Sequence, residues 1–134
     1  MKNNKPHVVP LARHMLELLE NLRKYTGEGQ YLFPSYGKTG HLTTKSPLKA
    51  IYAAGHGPQE FIAHGLRHMV VTLLKELSFL HDVIYPQLSH TLERDAAKAA
   101  YNKAQLLPQR REMMQSYADY LDGLREQAAR KTAA

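Results

Sequence analysis

A histidine and an arginine three residues apart, in His64-Gly65-Leu66-Arg67, are the first residues of this chain whose types and spacing suggest chemistry. Residues three apart on a helix share a face. Arginine presents a planar fork of donors that suits a phosphate and stays charged, and histidine adds a donor that titrates near neutral pH. Two more groups follow, Gln87-Leu88-Ser89-His90 and Ala99-Ala100-Tyr101-Asn102. A phenol with a pKa of about 10 is a poor nucleophile at neutral pH; it needs an acceptor and positive charge beside it. Each group alone is unremarked chemistry, because a lone histidine on an apolar helix is ordinarily a cap or a core residue. His64 and His68 are spaced like the ligands of a zinc-binding helix, but Gly65 stands where a glutamate is needed and Arg67 would repel a cation. His68 therefore reads as structural. His7, His14, His41, His56 and His81 read as solvated or packed, and so do the seven tyrosines other than Tyr101.

The elements that position these residues read as mostly helical. The apolar run Met69, Val70, Val71, Leu73, Leu74 and Leu77 predicts a central helix from about His64 to Leu77. Met15, Leu16, Leu18, Leu19 and Leu22 predict a helix from Ala12 to Lys24, with Gly27 and Gly29 ending it. Ser46-Pro47 predicts a helix start, running to about Ala54. Tyr31-Leu32-Phe33-Pro34 reads as buried extended chain and residues 35–44 as a loop. Asp82 looks like the cap of a short helix to Leu88, with Pro86 in its first turn. Further helices are expected from Arg94 to Leu107, carrying Tyr101, and from Pro108 onward, with Met113, Met114, Tyr117, Tyr120, Leu121 and Leu124 as one face and a fraying tail from Arg125. At the N-terminus His7-Val8-Val9-Pro10-Leu11 reads as a short strand, the second strand of a tight hairpin. The fold class is mainly α with a small N-terminal β-hairpin.

With 134 residues and 43% hydrophobic content, the chain suits one domain with its own core. Eighteen Lys and Arg against twelve Asp and Glu give a net charge of +6, which favours a polyanionic partner. There is no cysteine, hence no disulfide and no thiolate zinc site. No apolar run approaches the roughly 18–20 residues needed to span a bilayer, and no apolar segment follows Met1–Pro6 as a signal peptide requires. The expectation is a soluble cytoplasmic protein with no membrane partner.

Taken in order, His64-Gly65-Leu66-Arg67-His68, Asp82-Val83-Ile84, Gln87-Leu88-Ser89-His90 and Ala99-Ala100-Tyr101-Asn102-Lys103-Ala104 resemble the catalytic domain of the tyrosine recombinases, specifically the prophage-type integrases. Lys5 to Leu11 and the run Arg110 to Leu121 are similar to that group too, so the resemblance covers the chain from about Lys2 to Leu121. It implies that residues 1–134 are the C-terminal portion of an integrase catalytic domain, truncated upstream. It implies site-specific DNA recombination through a 3′-phosphotyrosyl intermediate, with neither metal nor nucleotide cofactor. By resemblance Tyr101 is the nucleophile, Arg67 clamps the scissile phosphate and His64 acts in proton transfer. His90 donates to a non-bridging oxygen, and Lys2 stands in the place of the hairpin lysine that protonates the leaving oxygen. The implied partners are double-stranded attachment-site DNA and other recombinase protomers in a synaptic complex; the helix after Tyr101 is a possible docking face for a protomer.

Three features depart from the pattern. The family's other arginine falls upstream of the hairpin, Leu66 stands where phenylalanine is usual, and the stretch from His90 to Tyr101 is about one residue long. A second expectation follows from the first departure: a remnant that binds DNA or an intact integrase without cutting. A helical transcription regulator is the third, disfavoured because the central helix is too apolar to lie in a DNA groove.

Overall fold

The computed structural model describes residues 7–88 and 106–133. Among them lie five helices: α1 (Arg13–Thr26), α2 (Ser46–Ala53), α3 (Ala63–Glu76), α4 (His81–Gln87) and α5 (Leu107–Thr132). No helix among the described residues is long and apolar enough to cross a membrane. The chain divides into two compact units, one of Met1–His14 with Val71–Ala134 and the other of Met15–Val70.

The first unit holds the buried side chains. α4 packs against α5, and Leu74, Val83, Ile84 and Met113 are at most 5% exposed. Each such side chain contributes about 1.5–3 kcal/mol on leaving water. α3 ends in a turn in which the Phe79 N–H donates to the Leu74 carbonyl (3.0 Å) and the Ser78 N–H to the Lys75 carbonyl (2.9 Å). That pattern is the Schellman closure of a helix, and it places Ser78 at φ 64°. α4 is capped by Leu80 in extended backbone (φ −69°, ψ 145°) and not by Asp82, which sits in the first turn, where its charge meets the positive end of the dipole. Pro86 lies near the end of this seven-residue helix rather than in its first turn; the bond it forgoes is the one to the Asp82 carbonyl.

Two sequence expectations are corrected here. His7–Leu11 forms no strand, and the only β pairing among the described residues is the bridge between Pro34 and His41. The Val8 carbonyl is satisfied by an arginine side chain, Arg110 Nη2 at 2.6 Å, in place of a neighbouring strand. The expected turn of the hairpin, at Lys2 to Lys5, lies outside the described residues. The tail after Arg125 does not fray: α5 continues to Thr132. Its residues are mostly strong helix formers, and the ion pair of Glu126 with Arg130 (3.7 Å, i to i+4) lies along it. The expected helix from Arg94 falls outside the described residues up to position 105, and Leu107 already belongs to α5.

In the second unit no described side chain is fully buried. Local contacts shape it. The Ser35 N–H donates to the Gly40 carbonyl and the Leu42 N–H to the Phe33 carbonyl, each at 2.9 Å. Gly40 turns the chain at φ +70°, and the Tyr31 and His41 rings meet across that turn at 4.9 Å.

Candidate active site

α3 begins one residue before His64, and its entry is set by α2. The Tyr52 hydroxyl donates to the Phe61 carbonyl at 3.1 Å, and the Glu60 and Phe61 N–H groups both donate to the Gly57 carbonyl. The chain then enters the helix with the Gly65 N–H donating to the Ile62 carbonyl at 2.9 Å. A side chain at position 65 would come within 3.2 Å of Ile62 Cγ1, so glycine suits this close turn. His64 and Arg67 stand three residues apart on α3, both exposed to solvent, on one helix face. The His64 ring packs edge-on against His68, with centroids 4.7 Å apart. An imidazole and a guanidinium on one exposed helix face are of the types that engage a phosphate and exchange a proton. Of the five expected site residues the structure describes these two. Lys2, His90 and Tyr101 lie outside the described residues.

Near the chain positions of those three the structure contains a junction that sequence reasoning missed. Arg110, in the first turn of α5, is 1% exposed. Its Nε and Nη2 donate to Gln87 Oε1 at 3.0 and 2.7 Å, and Nη2 also donates to the Val8 carbonyl. His7 Nε2 lies 3.3 Å from the Gln87 carbonyl, a bond that requires the proton on Nε2. Burial lowers the Arg110 pKa from its ordinary value. A sequence separation of 23 and of 102 residues leaves no local pattern to read. The visible hint was a pair of arginines, Arg110-Arg111, in the opening of a helix that has no acidic residue in its first turn, where a cation is disfavoured.

His14, expected to be solvated or packed, is instead a tether. Its Nε2 is 2.9 Å from Asp122 and 3.7 Å from Asp119, and Gln115 Nε2 donates to its Nδ1 at 3.3 Å. Gln115 Oε1 accepts the Arg13 N–H at 2.9 Å, closing one of the open donors at the start of α1.

Comparison with known proteins gives one consistent answer. Over 120 residues the chain is 37% identical to prophage integrase IntA of Escherichia coli (strain K12), covering 89% of this chain and 29% of that protein. It is 37% identical over 126 residues to the integrase of Enterobacteria phage P4, covering 91% and 28%. It is 36% identical over 124 residues to the integrase of Shigella phage Sf6, covering 91% and 32%. No protein-family model and no solved structure matches the chain. The chain spans only about three-tenths of the length of these relatives. Likeness at this level across nine-tenths of the chain, to phage and prophage proteins alike, is not produced by composition, and the chain belongs to the phage and prophage integrase family.

Proposed function

We propose that this chain is the C-terminal catalytic part of a site-specific recombinase that integrates or excises DNA through a 3′-phosphotyrosyl intermediate. The observation that carries the reading is the ordered set His64, Arg67, His90 and Tyr101 within a chain similar to integrases along nine-tenths of its length. The Tyr101 oxygen attacks the scissile phosphorus and the bond to the 5′-oxygen breaks. Lys2 gives that oxygen its proton, leaving a 5′-hydroxyl and a DNA 3′-phosphate esterified to the tyrosine. Attack by a 5′-hydroxyl of the partner strand reverses the step. Phosphoryl transfer asks the protein for positioning and for charge on the equatorial oxygens. Arg67 and His90 supply that charge, with His64 taking part in proton transfer at the nucleophile. The phosphotyrosine conserves the bond energy, so the chemistry calls for no nucleotide cofactor. The partners are attachment-site duplex DNA and further protomers in a synaptic complex.

The test uses the protein expressed from its natural reading frame, with any coding sequence in frame upstream, on a nicked duplex carrying the attachment sequences of the element that encodes it. A denaturant-resistant protein–DNA adduct is expected, and its loss in Tyr101→Phe. Adducts that persist in Tyr101→Phe would sink the assignment of the nucleophile. Salt-dependent binding with no adduct from the unaltered protein would favour the non-cutting, DNA-binding or integrase-binding remnant.

A further inference from the structure

Among the described residues Arg110 is a buried charged group that the proposed chemistry does not use. Its acceptors among the described residues, Gln87 Oε1 and the Val8 carbonyl, are neutral. It sits at 1% exposure in the opening of a helix with no acid in the first turn. Replacing a buried charge by an apolar residue of similar volume is often neutral or stabilising, so filling space does not account for an arginine here. What the guanidinium adds is direction. It fixes three points of the chain at hydrogen-bond distance: Gln87, the last residue of α4; the opening of α5; and Val8. In the sequence these points stand three residues before His90, nine after Tyr101 and six after Lys2. His7 makes a further bond into the same junction through the Gln87 carbonyl.

We propose that Arg110 is a positioning residue for strand cleavage, holding together through Gln87 and Val8 the chain points from which Lys2, His90 and Tyr101 depart. The proposal rests on the catalytic reading above. Residues 89–105 leave the chain's described part at the end of α4 and rejoin it at the start of α5, and one side chain joins those two ends. Loosening them costs rate before it costs binding, because a misplacement of about 1 Å is worth about a hundredfold in a positioned reaction.

The experiment compares the unaltered protein with Arg110→Met, Arg110→Lys and Gln87→Met, each from the natural reading frame. It measures DNA affinity and the single-turnover rate of adduct formation per folded molecule, with the folded fraction taken from circular dichroism. In Arg110→Met the rate is expected to fall about tenfold or more with affinity changed less than about threefold, and Arg110→Lys, which keeps one donor direction, to fall less. A second substrate with sulfur in place of the 5′-bridging oxygen separates positioning from stability. A thiol of pKa about 8.5 leaves without a proton donor. A defect that shrinks on the sulfur substrate shows delivery of Lys2 through the junction, and one of equal size on both shows delivery of His90 or Tyr101. Per-folded rates equal to the unaltered protein in Arg110→Met and Gln87→Met overturn the proposal. If Arg110→Met does not fold, Arg110→Lys and Gln87→Met decide by the same criterion. No adduct from the unaltered protein overturns the catalytic reading, a different result from normal adducts in every variant.

Discussion

Two arginines of this chain show how burial decides what a guanidinium does. Arg67 is exposed on α3, where solvent reaches it; Arg110 is enclosed and donates to Gln87 and to the Val8 carbonyl. Burial also acts on Tyr117, half-buried on α5, and raises its pKa above the usual phenol value. The sign of the consequence is fixed by linkage. Between the unfolded pKa of about 10 and the higher folded value, the native phenol keeps a proton that the unfolded chain has released. The native state then binds more protons, and stability falls as pH rises. The contribution is complete below pH about 10 and is lost as pH climbs through the folded pKa. Denaturant titrations at a series of alkaline pH values should therefore show a shallower loss of stability in Tyr117→Phe than in the unaltered protein. Coincident alkaline limbs would mean that the tyrosine is not held in its neutral form by its surroundings.

At the scale of the element, Ser78 marks a place where the chain accepts strain to end a helix. It occupies the left-handed position of the closure after α3, at φ 64°, where glycine is the usual residue. Ser78→Gly relieves the steric cost at that φ, and the extra freedom of glycine in the unfolded chain offsets part of the gain. The expected result is an increase of about 0.5–1 kcal/mol in unfolding free energy, read by urea titration, and no gain in Ser78→Ala. The end of α3 was legible all the same, because the apolar periodicity runs out at Leu77, within a residue of the observed end at Glu76. The start was legible too, and with it the pairing of His64 and Arg67 on one face, since both follow from spacing alone. His7–Leu11 was misread because its β-branched residues have strand character, whereas the partner it found is a side chain from 102 residues away. The last turns of α5 were misread because a polar tail lacks an apolar stripe, although its alanine, glutamine, glutamate and arginine are good helix formers. Spacing reveals what one element presents. It does not reveal which distant carbonyl a buried arginine will find.

For the whole molecule the net charge of +6 is a statement about partners rather than fold. Not every cation is available to a phosphate. Arg110 is buried, and Arg125 and Arg130 lie 3.1 and 3.7 Å from Asp122 and Glu126 on their own helix. Other cations, Arg67 among them, are exposed to solvent. Each phosphate contact on duplex DNA releases counterions and contributes about −0.9 to the slope of log affinity against log salt. A surplus of this size should give a slope on the order of −3 to −5, with the steepest loss of binding in the range of physiological salt. Fluorescence anisotropy of a labelled attachment-site duplex with the 134-residue chain, whose charge sets that figure, reads the slope directly. On the proposed role of Arg67 as a phosphate clamp, Arg67→Ala is expected to reduce its magnitude by about 1. Tyr101→Phe is expected to leave it unchanged, because the substitution removes no cation. A slope near zero for the unaltered protein would mean that the basic surface does not meet DNA at all. A full slope that Arg67→Ala leaves intact would mean that the chain binds DNA through other cations, and Arg67 would lose its place on the phosphate.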